Sequence, residues 1–535
     1  MIKAFTDINM DGFVNETDTA TLRKYLVGIE VEINKESADV NVDTFIDIKD
    51  IVAFKKELAE IAVYPTAYLS DSDENFAIQD EDYVTTYALS ELDNAEGTVI
   101  NIGADTTRTI EGFGASFTDT SAYVLSEMSE TQQEEAMVKL FDEEDGIGLS
   151  MLRNCIGSSD FSTEYYTYQD DKNNEFALAG GQTEKILSYT QKARELNPHM
   201  KIFLSPWTAP LWMKSDVQNE APDETIDGIK NVWKWTSASG AYLLNGYYDE
   251  YANYLVKTVQ AYEKNNIPVY AITAQNEPWT SNNWPGMCWE IDSLGIGLPT
   301  GLVSFTNDNL KPTLEKAGLN TKILNLDYNF QNWEKGKYIM SQTKDNTDGM
   351  AFHWYSGQPE EMANVMNDYP DKLCYVTEAS SSNPSNTASL LNYTQKIVRS
   401  LRSGANRFMS WNIATESEGG PTLNDINEHC SSLISYDKET GKVTYTRDFY
   451  SLAHFSKFMK QDAIRVESDD TGAATDYKLV NVVTKNTDGT MTAVLVNSYT
   501  AERKVCKLVY GEKVIEITLA PRSTVTLTWH PDFEI

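Results

Sequence analysis

The sequence predicts an α/β protein built on a (β/α)8 TIM barrel, accompanied by strands of two-residue period and preceded by a small α-helical, EF-hand-like module. Three observations carry this expectation. Between residue 110 and about residue 412, eight apolar runs alternate with amphipathic helical segments, the pattern of repeated βα units around a parallel sheet. The segments on either side of that region alternate apolar and polar residues instead, as half-buried strands do. Near the amino end, a twelve-residue acidic loop occurs twice.

The first of these loops, "DINMDGFVNETD", puts Asp7, Asn9, Asp11, Asn15 and Asp18 at positions 1, 3, 5, 9 and 12, with Gly12 at the sixth. That is the spacing by which an EF-hand surrounds a hard cation with oxygen, the glycine allowing the sharp turn. The second, "DVNVDTFIDIKD", puts Asp39, Asn41, Asp43, Asp47 and Asp50 in the same places, with Thr44 where the glycine stood. Each loop leads into a short amphipathic helix, "TATLRKYLVG" and "IVAFKKELAE". A duplicated loop-helix unit ending in Asp resembles a type I dockerin over residues 4 to 62. The resemblance implies structural calcium and, as partner, a cohesin of a scaffoldin. Glu16-Thr17 and Ile48-Lys49 occupy the places where such modules meet cohesin, and the two pairs differ. The next stretch, "VYPTAYLSDSDENFAIQDEDY", loses periodicity and gains Ser, Asp and Pro, so it reads as a linker.

The eight barrel runs are "IEGFGASF", "GIGLSMLRN", "KIFLSPW", "VYAITAQNEP", "KILNLDYN", "GMAFHWY", "LCYVTEAS" and "RFMSWNIA". Helical segments such as "SETQQEEAMVKLF", "TEKILSYTQKARELN", "YANYLVKTVQAYEKN" and "ASLLNYTQKIVRSLRS" separate them. Active sites of such barrels lie at the carboxyl ends of the strands. Here those ends carry Asp119, Arg153, Trp207, Asn276, Glu277, His353, Trp354, Tyr355, Glu378, Trp411 and Asn412. Any one of these could be a cap or a satisfied core group. Glu277 and Glu378, ending the fourth and seventh runs, are different in kind, because an unpaired buried carboxylate costs several kcal/mol, on the order of the penalty for any isolated buried charge. Two carboxylates facing each other across a cavity suit glycoside hydrolysis: one protonates the leaving oxygen while the other attacks the anomeric carbon or activates water. Asn276 is placed to hydrogen-bond the sugar 2-hydroxyl.

"IEGFGASFTDTSAYVL", "SPWTAPLWMK", "ITAQNEPW", "FHWYSG", "YVTEAS", "SWNIATESEGGP" and "FYSLAHFSKFMKQDAIRV" together resemble glycoside hydrolase family 30, in its branch of glucocerebrosidase-type enzymes and β-1,6-glucanases, from about residue 95 to residue 535. The resemblance implies a retaining enzyme with Glu277 as acid/base and Glu378 as nucleophile. Asp119, Trp207, Asn276 and Trp411 would line the sugar at the cleaved bond, Arg153 would lie below the nucleophile, and Tyr355 beside it. With His353 these make up the expected substrate-binding set. Trp279, Trp284 and Trp289 are candidates for outer subsites or for loop packing. The family also fuses a β-sandwich to the barrel, and here "TVINIGADTTRTI" and the tail from "LVNVVTKNTDG" to "TVTLTWH" supply its strand-period segments. The expected division is 1–62 dockerin-like module, 63–82 linker, 83–109 first part of the sandwich, 110–450 barrel and 451–535 the remaining sandwich.

The 535-residue chain carries 44 Lys and Arg against 80 Asp and Glu, a net charge of -36, which disfavours nucleic acid and anionic membranes as partners. No stretch approaches the ~20 apolar residues of a membrane helix, so no membrane insertion is expected. Met1 leads at once into polar residues and no signal peptide is visible. Five scattered cysteines and five histidines, none with ligand spacing, indicate neither a disulfide framework nor a zinc site, and no cofactor is expected for catalysis. The function expected is hydrolysis of β-glucosidic bonds, in β-1,6-glucan or a glucosylceramide-like β-glucoside, by a secreted, extracellular, cellulosome-bound enzyme. The alternatives are a β-xylan or β-1,6-galactan hydrolase of the same family and a non-catalytic carbohydrate-binding scaffold.

Overall fold

The computed structural model describes residues 8, 16–29, 31–41, 45–61, 65–72, 75–79, 84–93, 96–215, 225–226, 229–230, 235, 241–280, 284–289, 297–381, 387–423, 430–533 and 535. Eight parallel strands close a barrel as the alternation predicts: Gly112–Phe117, Met151–Ile156, Lys201–Pro206, Val269–Thr273, Lys322–Asn329, Gly349–His353, Leu373–Glu378 and Arg407–Glu416. The eighth pairs with the first, Phe408 opposite Phe113, and with the seventh, Val376 opposite Phe408. Such strands are covered on both faces, which is why they read as continuous apolar runs. Two more strands, Ser432–Asp437 and Lys442–Tyr445, extend the sheet beyond the eighth.

One of the helices between the strands is capped by its own first turn. Ser129 caps Glu130–Phe141 in a reciprocal box with Gln132, satisfying amide groups that the helix itself leaves unpaired. Inside the barrel, Met151, Phe203, Ala271, Leu324, Ala351, Tyr375 and Met409 form an apolar plug. Below it, Glu111 accepts from Tyr375 Oη, from Arg407 Nε at 3.3 Å and from Tyr270 Oη at 3.4 Å, with Lys201 Nζ 3.5 Å away. The lower end is thus filled and tied, and only the upper end can hold a ligand.

The second body is a sandwich. In order its strands are Ala77–Gln79, Thr66–Ser70, Ser523–Trp529, Met491–Asn497, Leu479–Lys485, Ala463–Ser468, Thr98–Ile110, Lys504–Tyr510, Lys513–Leu519 and Val84–Ala88. Thr98–Ile110 joins the two faces: its later residues pair with Ala463–Ser468 and its first with Lys504–Tyr510. Ile100, Val466, Leu495, Leu508, Ile515 and Leu527 are among the side chains that fill the space between.

Two boundaries need correction. Residues 63–82, expected as a linker, contribute the strands Thr66–Ser70 and Ala77–Gln79; Ala67 lies opposite Leu527 and, with Leu69, enters the sandwich core. Each face of so short a strand shows only two or three residues, too few to reveal a period, and its partner lies at the far end of the chain. Helix Arg447–Ser456 also runs across the expected boundary at 450.

At the amino end, helices Glu16–Leu26 and Ile48–Ile61 pack around Ile8, Leu22, Ile51 and Phe54. Of the expected calcium ligands, Asp7, Asn9, Asp11, Asn15 and Asp43 lie outside the described residues. The two loop-closing aspartates are buried, and each accepts from its own loop: Asp18 from Ile8 N at 2.6 Å, Asp50 from Asp47 N at 2.7 Å and Asn41 N at 3.2 Å. Carboxylates turned into the loop, with Asp39, Asn41 and Asp47 around them in sequence, suit a hard cation. All five cysteines are free. No helix among the described residues is long and apolar enough to cross a membrane.

Candidate active site

The upper end of the barrel gathers the polar strand ends that the sequence marks. Glu378 is the last residue of the seventh strand. Glu277 follows the fourth in the left-handed region, at φ 48°, a conformation that costs a non-glycine residue on the order of 1 kcal/mol or more. Its backbone N–H donates to the Asp327 carbonyl at 2.9 Å, and the Asn276 N–H to the Pro206 carbonyl at 2.8 Å. Neighbouring strands thereby hold the Asn-Glu pair in place. Carboxylate oxygens of Glu277 and Glu378 come within 4.8 Å of each other.

Arg153 is the hub beneath them. Its guanidinium donates to Glu378 Oε2 at 2.8 Å, Asn276 Oδ1 at 2.7 Å and Asp327 Oδ2 at 2.9 Å. It lies 4.9 Å from the Trp207 ring centre and 5.6 Å from that of Trp411, two rings stacked 5.1 Å apart. Phe161 meets Trp411 edge-on, and Trp284 packs on the same cluster. Tyr355 is half-exposed at its ring, while its hydroxyl donates to Glu378 Oε1 at 3.0 Å.

His353 lies between three carboxylates. Nδ1 is 3.0 Å from Glu277 Oε1, and Nε2 is 3.1 Å from Asp327 Oδ1 and 3.8 Å from Glu378 Oε2. Burial by itself would push the ring below its ordinary value, but Glu378, Asp327 and Glu277 carry it up to about 10. A ring protonated on both nitrogens has no lone pair for a metal, so the cluster of Glu277, His353 and Glu378 suits proton chemistry better than a cation. For Asp327, burial is again the largest influence and would raise it, yet Arg153 and His353 hold it far below the usual carboxylate range. Burial pushes Glu378 up; His353 and Arg153 pull it back, and Glu277 and Asp327 push it up again, leaving it above its ordinary value. Tyr355 is driven well above its ordinary value by burial and by Glu378, so it remains a hydroxyl donor.

The structure therefore brings together Glu277, Glu378, Asn276, Arg153, His353, Tyr355, Trp207 and Trp411. Arg153 and His353 are wholly buried beneath the two glutamates, and Trp207 and Trp411 are nearly as buried. Asp119 stands apart from the glutamates, at the start of helix Asp119–Glu127. Its Oδ1 accepts from Tyr166 Oη and Gln182 N, both at 3.0 Å, and the carboxyl is buried. Burial raises this carboxyl to about 6 against the pull of Ser162, Gln182 and Tyr166. Of the candidate outer tryptophans, Trp289 is core, packed on Tyr248, Tyr251 and Phe305. Trp279 leans on Tyr328 with Lys335 over its ring.

Sequence reasoning missed Asp327, with Ser205 and Thr377 around it. The signal was present, since the fifth run ends "NLDYN", but an aspartate before a strand-ending asparagine also reads as a turn.

Residues 110–459 match the glycosyl hydrolase family 30 TIM-barrel domain, and residues 5–59 the dockerin type I domain. Among characterised relatives, an endo-1,6-beta-D-glucanase of Neurospora crassa is 26% identical over 457 residues, covering 82% of this chain and 89% of that protein. A second, from Trichoderma harzianum, is 29% identical over 412 residues, covering 73% and 78%. The lysosomal acid glucosylceramidase of Mus musculus is 25% identical over 410 residues, covering 72% and 75%. A solved endo-beta1,6-glucanase superimposes with a TM-score of 0.73 at 26% identity, covering 87% of this chain and 99% of its own.

Proposed function

The chain belongs to glycosyl hydrolase family 30 and is a glycoside hydrolase; from that premise we propose that it cleaves β-1,6-glucan with retention of configuration. The observation that carries the mechanism is the approach of the two glutamates, whose oxygens come within 4.8 Å. Retaining enzymes hold their carboxyl groups ~5 to 5.5 Å apart, whereas inverting ones need ~6.5 to 9.5 Å to admit a water. Glu277 protonates the leaving oxygen as Glu378 attacks the anomeric carbon, giving a glycosyl-enzyme. Glu277 then takes a proton from the water that releases the sugar. Asn276, whose oxygen is engaged by Arg153, has its amide nitrogen left to donate to the 2-hydroxyl. Trp207 and Trp411 wall the sugar.

The substrate reading rests on the two fungal relatives that are endo-1,6-beta-D-glucanases and on the dockerin domain, which suits polysaccharide digestion. That domain is a cohesin-binding module by type. In this reading Asp7, Asn9, Asp11, Asn15 and Asp18, and their counterparts in the second loop, hold calcium, and the enzyme works outside the cell on a scaffoldin.

Three measurements test this. Gentio-oligosaccharides should be released from β-1,6-glucan, with the β-anomer first by proton NMR; products only from xylan, galactan or glucosylceramide overturn the substrate, and an α-anomer appearing first overturns retention. Glu378→Gln should abolish turnover. Glu277→Gln should still form the glycosyl-enzyme from a dinitrophenyl glucoside, and added azide should release it as the β-azide. Azide rescue of Glu378→Gln to the β-azide instead would reverse the two roles.

A further inference from the structure

Resting on the roles given above to Glu277 and Glu378, we propose that Asp327 is a positioning residue that fixes how many protons the catalytic pair holds. Four side-chain hydrogen-bonding groups converge on its buried carboxylate: Arg153 at 2.9 Å, Ser205 Oγ at 2.8 Å, Thr377 Oγ1 at 2.7 Å and His353 Nε2 at 3.1 Å. They come from the second, third, sixth and seventh strands. Asp327 itself sits in the left-handed region at φ 45°, following Leu326 at φ 75°, and its carbonyl receives the Glu277 N–H. So much backbone distortion at the end of one strand aims one carboxylate inward and one carbonyl at the proposed acid.

The consequence is electrostatic. Around Asp327 and the groups it touches, the charged neighbours are Arg153 from the second strand, Glu277 from the fourth, His353 from the sixth and Glu378 from the seventh. Tyr328 and Tyr355 are raised by burial and stay neutral, as do the thiols of buried Cys155 and partly buried Cys430. Two cations therefore face three carboxylates, and the cluster is neutral when the carboxylates hold one proton between them. Retaining catalysis needs that single proton. His353 donates Nδ1–H to one oxygen of Glu277, and the acid proton then belongs on the other, toward the leaving group. Such a cluster titrates as a unit, and Asp327, with Glu378 and Glu277, keeps the imidazolium charged.

Without the Asp327 charge the cluster carries one positive charge too many, and its next proton leaves at lower pH. Whether Glu277 or His353 gives it up, the proton remaining between them is shared along the Nδ1–Oε1 hydrogen bond, and the outward oxygen is bare. The whole bell of kcat/KM against pH should therefore move down in Asp327→Asn, by about two pH units, the scale for one unit charge roughly 6 Å away in an effective dielectric of about 20. Removing a cation instead should move the bell up, so His353→Gln should shift the opposite way. Thr377→Val, which takes away one hydrogen bond and no charge, should lower the melting temperature and leave the bell where it was.

The test is the pH profile of kcat/KM on an aryl β-glucoside for the full-length enzyme and these three variants, with melting temperatures recorded alongside. Opposite displacements for Asp327→Asn and His353→Gln support the proposal. Unmoved bells of reduced height, or displacements in the same direction, overturn it. If Asp327→Asn does not fold, His353→Gln decides: an upward displacement supports, an unmoved or lowered bell refutes. The Glu277→Gln and Glu378→Gln signatures are read separately, so failure of the charge argument with those signatures intact leaves the retaining mechanism standing.

Discussion

His454 should make the enzyme's stability depend on pH in a way that a single substitution removes. It lies on helix Arg447–Ser456, fully buried where that helix meets the sandwich. Thr526 Oγ1 donates to the His454 carbonyl, so its oxygen is the acceptor for Nδ1–H at 2.8 Å. Ser70 Oγ accepts from Phe76 N and so donates to Nε2, also at 2.8 Å. Both contacts are satisfied by the neutral ring alone, and burial lowers it from the ordinary 6.5 to about 3. Because the folded value is the depressed one, the contribution to stability is complete above pH 6.5 and is lost as pH falls from there toward 3. At pH 5 the unfolded ring is protonated and the folded one is not, a loss of about 2 kcal/mol for ~1.5 units at 1.36 kcal/mol each. Urea midpoints at pH 7.5 and pH 5.0 measure it for wild type and His454→Asn. The carboxylates elsewhere titrate alike in both proteins, so wild type should lose about 2 kcal/mol more than the variant between the two pH values. Equal losses would show that the buried His454 ring does not carry this pH dependence. The same helix carries Asp448, whose carboxylate accepts from Ser381 Oγ at 2.8 Å, three residues after Glu378 in the chain.

Glu111→Ala should cost about 3 to 5 kcal/mol, the usual penalty for stranding a buried cation, here Arg407, which is wholly buried. Since this cluster closes the lower end of the barrel, KM at a temperature where the variant stays folded should change less than twofold. Chelating calcium should reduce helical circular dichroism and cohesin binding but leave hydrolysis of a soluble aryl glucoside unaltered. A calorimetric calcium titration without heat would count against the loop ligands, and a fall in kcat with EDTA would show that catalysis depends on the calcium loops.

Much of the site could be read from strand ends. A parallel barrel forces each strand to be apolar along its length, so Asn276, Glu277 and Glu378 stood out as polar groups that packing alone does not explain. Asp327 did not, because its importance lies in what faces it: Arg153, His353 and Thr377 arrive from other strands, and no local pattern records their convergence. Thr66–Ser70 escaped for the same reason. Its strand character is supplied by Ser523–Trp529 alongside it, and five residues of mixed polarity do not declare a partner so far away.

By itself, then, the order of residues determined the features that repeat or punctuate locally: the βα alternation, the paired EF-hand-like loops and the carboxylates at the ends of the fourth and seventh strands. Periodicity and ligand spacing are properties of neighbours along the chain. The gathering of charged groups under the glutamates, the wholly buried position of Arg153 and His353, and the junction at His454 arise from contacts between distant parts of the chain. Protonation and burial depend on which groups lie within a few ångströms and on how much water is excluded, and those distances exist only once the barrel has closed.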